Sequence, residues 1–224
     1  MKSKIFLYFF VSLIFEYEYL MNYIWTFCHI LLKYYKFKKS EYMKKELIKI
    51  IKEAGKILKE GYYSKKDITF KAKKYLVTEY DVAVENYLKK KFSKKFKDFN
   101  LIAEESDNTN VEFNNSIIID PIDGTTNFVN GVPHTAISVG VYKNKKPYLA
   151  IVYNPILDEL YTAKIGKGAF LNGKELKVSN ENIFQKALLA TGFPYTSGTN
   201  EDELNDVLKE IKDILPLCQD LRRL

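Results

Sequence analysis

Residues 120–128 read Asp-Pro-Ile-Asp-Gly-Thr-Thr-Asn-Phe and directly follow the apolar run Ile117-Ile118-Ile119. The apolar run predicts a buried strand that holds Asp120 rigidly at its end. Because proline fixes one backbone angle, Pro121 favours a geometry in which the carboxylates of Asp120 and Asp123 converge. Two convergent carboxylates attract a hard divalent cation. The stretch therefore predicts a metal site at the end of a strand.

The glycine that follows favours an anion site beside these carboxylates. Gly124 lets the backbone approach a ligand closely, and its amide, with those of Thr125 and Thr126, can point at phosphate oxygens where the chain turns into a helix. A cation and the amides would then share one phosphate group. The alternative is that Asp120 only ends a strand, Asp123 only caps a helix, and the glycine is ordinary turn chemistry.

A second acidic pair lies upstream, where the apolar run Leu101-Ile102-Ala103 is followed by Glu104 and Glu105. A strand over this run would bring a third carboxylate to the sheet edge that holds Asp120 and Asp123. Carboxylates that meet at one strand end repel each other unless a cation lies among them. The upstream pair therefore favours the metal site over the purely structural interpretation.

At these residues the chain resembles the inositol monophosphatase family of magnesium-dependent, lithium-sensitive sugar phosphatases. The resemblance covers roughly residues 43–224 and depends on four sequence blocks that follow one another in the family's order. The blocks are Leu76-Val77-Thr78-Glu79-Tyr80-Asp81, Ala103-Glu104-Glu105-Ser106, Asp120 to Pro133 with the strand Ala136 to Val141, and Ala190-Thr191-Gly192-Phe193-Pro194-Tyr195.

The resemblance implies a site for two or three Mg²⁺ ions. In the family, the acids that match Glu104, Asp120 and Asp123 bind the metals, together with the carbonyl oxygen at the position of Ile122. The implied reaction is two-metal hydrolysis of a phosphate ester, in which the metals activate water and neutralise phosphoryl charge.

The resemblance also implies roles for residues around the metals. The residues that match Glu104 and Thr125 orient the attacking water, and the acid that matches Asp81 is hydrogen-bonded to that threonine. The catalytic residues are then Glu104, Thr125 and Asp81. The expected substrate-binding residues are Asp123, Gly124, Thr125 and Thr126.

Three of these candidates have competing structural explanations. Asp81 stands three residues after Thr78 and just ahead of a predicted helix, which is a capping-box pattern, so both roles are open. Glu105 is either a further ligand or a solvated neighbour of Glu104. Lys71 resembles the basic residue of a mobile hairpin that closes the family's site, and it is otherwise an exposed strand lysine.

The composition bounds the remaining choices. A chain of 224 residues with 46% hydrophobic content can bury one sizeable core, and we expect one catalytic domain. The net charge is +7, but the lysines are scattered among acids and lack an aromatic platform, which argues against a nucleic-acid partner. Two cysteines, Cys28 and Cys218, form no metal or disulfide pattern and favour a cytoplasmic protein.

The spacing of apolar residues predicts an α+β fold of helices and mostly antiparallel sheet. Helical periodicity runs from Leu47 to Leu58, with Gly61 as a stop signal, and further helices are predicted from Glu79 toward Phe96 and over 201–214. Strands are predicted near 68–70, Leu101, Ile117, 136–142, 147–153, 160–164 and 169–171, the last ending in an Asn172-Gly173 turn. The resemblance implies that they form the layered αβαβα sandwich of the inositol monophosphatase and fructose-1,6-bisphosphatase type, missing its C-terminal layer.

The chain stops before the family's Trp-Asp block, which carries a further metal-ligating aspartate and residues that choose the substrate. We therefore expect an incomplete catalytic domain with weak or no phosphatase activity. The expected substrate is inositol 1-phosphate, a phosphorylated polyol, because Thr126 stands where the nucleotide bisphosphatase branch carries lysine. A fructose-1,6-bisphosphatase-type sugar phosphatase and an inactive metal-binding remnant are the alternatives. The resemblance implies a homodimer of the full domain.

Residues 1–42 form an aromatic, hydrophobic leader with no counterpart in the ordinary family domain. Lysines ahead of the apolar stretch 5–15 are typical of a signal or membrane anchor, but glutamates interrupt the apolar sequence and no small-residue cleavage site follows. The other explanation is an early start codon, with Met43 opening the natural protein. We favour that explanation, and the catalytic domain is then 43–224.

We expect amino-terminal sequencing of the natural protein to begin at or near Met43, because the family resemblance begins there. Peptides from within residues 6–33, recovered by mass spectrometry of the natural protein, would contradict this assignment and favour a translated leader.

Overall fold

The fold was analysed in a computed structural model that describes residues 38, 40–65, 68–72, 75–106, 114–192 and 200–223. Four helices are described: α1 over 40–63, α2 over Glu79–Lys95, α3 over Thr125–Val129 and α4 over Glu201–Ile214. Most of the predicted leader lies outside the described residues, and its last residues, 40–42, belong to α1. No helix in the described ranges is both long and apolar enough to cross a membrane.

Eleven strands are described, and the predicted strands are all among them. They are β1 Ile68–Ala72, β2 Tyr75–Thr78, β3 Asn100–Ala103, β4 Ser116–Asp123, β5 Ala136–Lys143, β6 Lys146–Asn154, β7 Glu159–Lys164, β8 Gly168–Leu171, β9 Lys174–Leu176, β10 Leu188–Thr191 and β11 Asp220–Arg223. Short 3₁₀ turns cover Phe184–Lys186 and Leu215–Leu217.

Seven strands form one sheet in the order β3-β4-β5-β6-β7-β8-β9. β3 and β4 are parallel, and every other neighbouring pair in this sheet is antiparallel. The predicted turn between β8 and β9 is confirmed, since Asn172 and Gly173 have φ of 49° and 81°, as a two-residue type I′ hairpin requires. β1 and β2 form a separate antiparallel pair, and β10 and β11 a separate parallel pair.

Helices α1 and α2 contribute apolar faces to one hydrophobic core with β4, β5 and β6. The fully buried residues of α1 recur every three or four positions, as the sequence predicts, and the same spacing holds on α2. The largest of these buried side chains are Leu47, Ile51 and Leu58 on α1, Val84, Leu88 and Phe92 on α2, and Ile117, Ile119, Ile122, Ile137 and Ile151 on the strands. Burial of each such side chain stabilises the fold by ~1.5–3 kcal/mol, so β4 is held firmly from its start.

The predicted stop at Gly61 is wrong, because α1 continues to residue 63. A Cβ atom at Gly61 would lie 2.5 Å from the ring of Tyr80, at the start of α2. Tyr80 in turn packs against Phe128 of α3, with ring centroids 6.1 Å apart. Gly61 is therefore required by close packing between α1 and α2, a contact that local helix signals cannot reveal.

We predict that Gly61→Ala destabilises the protein by about 1–3 kcal/mol through overpacking, although alanine gains about 1 kcal/mol over glycine in an open helix. The measurement is the midpoint of urea unfolding. Gly140→Ala is the control, because a Cβ added there has no described atom within 4 Å apart from its chain neighbours. Equal midpoints for the two variants would contradict the packing explanation.

Candidate active site

A β-bulge in β4 brings Asp120 and Asp123 to the same face of the sheet. Residues three apart on a regular strand point to opposite faces. Here Asp120 pairs with Ser138 of β5 and Asp123 pairs with Ala136, so three steps along β4 match two steps along β5. The extra residue restores the face, as a bulge does. The predicted convergence of the two carboxylates therefore depends on an irregularity in strand pairing.

Pro121 stands where the neighbouring strand has already ended. β3 pairs with β4 only as far as Ile119, whose carbonyl accepts the Glu104 N–H at 3.1 Å. Proline has no N–H to donate, and within sheets it is found at bulges or unpaired edges. Pro121 and Ile122 are both buried. The proline thus fits the bulge, and burial of the two residues keeps the bulge rigid.

The carboxyl group of Asp120 lies in an electrostatically unfavourable place. Its Oδ1 atom is buried and has no hydrogen-bond partner among the described residues. Burial, with the neighbouring charges of Glu104 and Asp123, raises the pKa of Asp120 to about 8. An ionised aspartate here would need a nearby positive charge to offset desolvation and repulsion. The position of Asp120 therefore fits a bound cation.

The oxygen donors at this site fit a hard cation such as Mg²⁺. Within the described ranges, no three His, Cys, Asp or Glu side chains form a ready-made metal cage. The carboxylates of Glu104, Asp120 and Asp123 nevertheless lie at one end of adjoining strands, and the charges of Glu104 and Asp123 act on Asp120. Such an arrangement fits Mg²⁺, because this ion takes one or two carboxylates and retains waters rather than needing an all-protein cage.

Asp81 completes the capping box of α2 and also contacts Thr125. Its Oδ2 accepts the backbone N–H of Thr78 at 2.7 Å and the Thr78 hydroxyl at 2.6 Å, which completes the capping box of α2. Its Oδ1 lies 3.2 Å from Thr125 Oγ1. Burial raises the pKa of Asp81, while the hydrogen bonds from Thr78 and Thr125 act in the opposite direction. The helix cap thereby holds a carboxylate against Thr125.

The Thr125 hydroxyl has two acceptors within reach. It lies 3.0 Å from the carbonyl oxygen of Ile122, in addition to Oδ1 of Asp81. A hydroxyl has one proton to donate and two lone pairs with which to accept. Either donor bond therefore leaves lone pairs on Thr125 available to a water molecule or substrate.

Gly124 is required both by its conformation and by the space around it. Its φ is 83°, in the left-handed region, and a Cβ atom there would lie 2.8 Å from the carbonyl oxygen of His134. That carbonyl also accepts the Asn127 side-chain N–H at 2.8 Å. The predicted turn into a helix is confirmed by α3, which begins at Thr125 and carries an exposed Thr126 in its first turn.

The two additional candidates are less well defined by the structure. Glu105 is half-buried, and its backbone N–H donates to Glu85 of α2 at 2.8 Å. Lys71 belongs to β1, and its side chain lies outside the described residues.

Two residues near the site had no role assigned to them from the sequence. Ser138 pairs with Asp120 on the neighbouring strand, and its hydroxyl donates to Asp123 Oδ2 at 3.2 Å. Glu85 is buried and contacts the loop that carries Glu104. Ser138 could have been found as a polar residue within an apolar strand. Glu85 could have been found because it lies four residues after Asp81, on the same face of the helix.

Comparison with known proteins agrees with this arrangement. A model described as the inositol monophosphatase family matches residues 39–216. The chain belongs to the inositol monophosphatase family. The family resemblance drawn from the four sequence blocks is thereby confirmed.

Members of the inositol monophosphatase family match much of the chain. Inositol monophosphatase 3 from Solanum lycopersicum is 44% identical over 161 residues, which cover 70% of this chain and 59% of that protein. Inositol monophosphatase 1 from Bos taurus is 37% identical over 170 residues, which cover 74% and 61% respectively. The chain therefore spans about three-fifths of the length of these curated relatives.

The fold is confirmed by solved structures. The extragenic suppressor protein suhB from Bartonella henselae has a TM-score of 0.73 and 28% sequence identity, and the match covers 81% of this chain and 70% of that chain. The predicted α+β class agrees with this match and with the mixed sheet flanked by α1 and α2.

We predict that the stability of the metal-free chain falls between pH 4 and pH 8 through Asp120. The folded-state pKa is about 8 and the ordinary value is 3.8, so in this window the folded state holds a proton that the unfolded state has released. The contribution of Asp120 to the free energy of unfolding is fully present at low pH and is lost as the pH rises. Asp120→Asn removes this titration, and its thermal midpoint should rise relative to wild type between these limits.

The control for this experiment is Asp98→Asn, because Asp98 is exposed and precedes β3, whereas Glu104 follows the other end of that strand. Its thermal midpoint should follow that of the wild type at every pH, measured in a chelator-containing buffer. A constant difference between Asp120→Asn and wild type across the window would show that the environment of Asp120 does not raise its pKa.

Proposed function

We propose that this site hydrolyses phosphate monoesters with Mg²⁺. The observation that carries the proposal is the buried Oδ1 of Asp120, which has no hydrogen-bond partner in the described part of the chain. It lies beside other carboxylates, on the same strand end that leads into the Gly124 turn. A buried anion in this position fits a cation, and the adjoining helix start fits a phosphate. Both features belong to one bulged strand end.

The residues that would hold the ions are Glu104, Asp120 and Asp123, with the carbonyl oxygen of Ile122. We propose two or three ions, and the relatives' family supports a phosphatase site of this kind. When bound, Mg²⁺ lowers the pKa of the attacking water, neutralises phosphoryl charge and stabilises the leaving alkoxide.

Thr125, Asp81 and Glu104 would prepare the water. When the Thr125 hydroxyl donates to Asp81, its lone pairs are directed away from that carboxylate and can accept a hydrogen bond from water. Asp81 is itself held by both hydrogen bonds from Thr78, so the acceptor cannot rotate away. Glu104, exposed at the end of β3, would accept the second hydrogen bond of the same water. Together they would orient the nucleophile.

The turn after β4 would bind the phosphate group. The amides of Gly124, Thr125 and Thr126 lie at the start of α3, where backbone N–H groups have no partner within the helix. Asp123 would bind a metal and contact the substrate next to these amides, and the exposed Thr126 would lie at the entrance. A residue larger than glycine at 124 would meet the carbonyl of His134, so the approach of the phosphate depends on Gly124.

Inositol 1-phosphate is the proposed substrate, because curated relatives at 37–46% identity are named inositol monophosphatases. A fructose-1,6-bisphosphatase-type sugar phosphatase is the alternative within the family. An inactive metal-binding remnant is the alternative outside catalysis. We further propose lithium sensitivity, a homodimer of the full domain and a cytoplasmic location.

The test is magnesium-dependent phosphate release by the purified 224-residue chain, with inositol 1-phosphate and fructose 1,6-bisphosphate as substrates. We expect slow phosphate release. Glu104→Gln should reduce the rate by more than ~10–100-fold, which is the effect of losing an outer hydrogen-bond partner of a metal ligand. Glu210→Gln is the matched control, because Glu210 is exposed on α4, and it should release phosphate at the wild-type rate.

A parallel measurement separates the enzyme from the remnant. Magnesium should raise the thermal midpoint of the wild-type chain but not that of Glu104→Gln, because binding to the folded state alone stabilises it. A magnesium-dependent midpoint without any phosphate release would favour the inactive remnant. If the wild-type chain shows neither a magnesium-dependent midpoint nor phosphate release, the metal site itself is ruled out.

A further inference from the structure

Helix α2 turns two buried acids toward the site from one face. Asp81 and Glu85 are 1% and 4% exposed, and residues four apart lie on the same side of a helix. Asp81 contacts Thr125, as described above. Glu85 contacts a different segment, the turn that follows β3 and carries Glu104.

Both oxygens of Glu85 are used by this turn. Oε2 accepts the backbone N–H of Glu105 at 2.8 Å, and Oε1 accepts the hydroxyl of Ser106 in a short hydrogen bond. Lys89, one helical turn further on, lies 3.7 Å from Oε1 of Glu85 and donates to Ser106 Oγ at 2.7 Å. The lysine offsets the charge of the buried carboxylate, which would otherwise be costly.

These contacts secure the turn on the side away from the sheet. On the other side, the Glu104 N–H donates to the Ile119 carbonyl of β4 at 3.1 Å, and the Ser106 N–H donates to the Ala103 carbonyl at 3.2 Å. The backbone of Glu104 therefore lies between a hydrogen bond to β4 and hydrogen bonds to α2. Glu104 itself is exposed, so its direction depends on this backbone.

We propose that Glu85, together with Ser106 and Lys89, positions Glu104 for binding the metal. Glu85 is a positioning residue, because it acts through the turn, which it contacts at the Glu105 N–H and the Ser106 hydroxyl. The inference rests on the proposed function. A carboxylate is suited to the role because it accepts two hydrogen bonds at once and donates none. Such outer partners hold a ligand in its binding orientation, and their loss weakens metal affinity.

The test compares Glu85→Gln with Glu53→Gln in the full chain. Glutamine at 85 turns a donor group toward the turn, which already offers two donors. Glu53 on α1 is a matched control, because its carboxylate also joins two elements, accepting the hydroxyl of Tyr87 at 2.6 Å. Its described hydrogen bond and ion pair go to Tyr87 and Lys91 of α2 rather than to the Glu104 turn. Magnesium titrations followed by thermal midpoint measure metal affinity without relying on turnover.

We expect Glu85→Gln to shift the curve of thermal midpoint against magnesium concentration to about ten-fold higher magnesium, while Glu53→Gln leaves the curve unshifted. Amide hydrogen exchange gives a second readout, since the Glu105 N–H should exchange faster in Glu85→Gln but not in Glu53→Gln. Ser106→Ala removes one of the two hydrogen bonds and should give an intermediate magnesium shift.

If the dependence of the thermal midpoint on magnesium concentration is the same in Glu85→Gln as in wild type, the inference is overturned. Equal shifts of this dependence in both glutamine variants would also overturn it, because they indicate general destabilisation. If the wild-type chain shows no magnesium response, the proposed function fails and exchange alone decides the role of Glu85. Faster exchange at Glu105 then supports anchoring of the turn, and unchanged exchange overturns it.

Discussion

The site depends on one irregularity, the β-bulge between Asp120 and Asp123. Without the extra residue, the two carboxylates would lie on opposite faces of β4, and one would enter the core. The pairing with Ser138 and Ala136 shows that the bulge restores a common face. Pro121 suits this position because β3 has ended and no N–H is needed there. The chemistry of the site therefore begins with a strand-pairing constraint.

The rigid core holds Asp120 in its electrostatically unfavourable position. Ile117 and Ile119 are fully buried, so β4 cannot relax to move Asp120 into solvent. Burial and neighbouring acids therefore act on its carboxyl group and raise its pKa to about 8. Burying this carboxyl group lowers the stability of the fold, and a bound cation would remove that destabilisation. Functional sites commonly hold groups with shifted pKa values of this kind.

Helix α2 joins the core to the site. Val84, Leu88 and Phe92 face the apolar interior, whereas Asp81 and Glu85 meet polar groups on Thr125 and on the turn after β3. A rotation of this helix would disturb apolar packing and both acidic contacts together. Stability and the geometry of the site are thus coupled through one element, which favours a single well-defined arrangement of the acids.

The sequence alone determined what depends on neighbours along the chain. It predicted the strand before Asp120, the capping box of Thr78 and Asp81, the Asn172-Gly173 turn and the main helices, because periodicity and turn chemistry are local. The acidic residues of the site were also recognisable, since Asp120 and Asp123 stand together in one short motif.

Only the tertiary structure decided which distant residues meet. The bulge depends on pairing between β4 and β5, and Gly61 is required by the ring of Tyr80 on another helix. The hydrogen bonds from Ser138 to Asp123 and from Glu105 to Glu85 join separate elements. Such contacts are set by how the sheet and helices pack in space, and the local pattern around each residue carries little information about that packing.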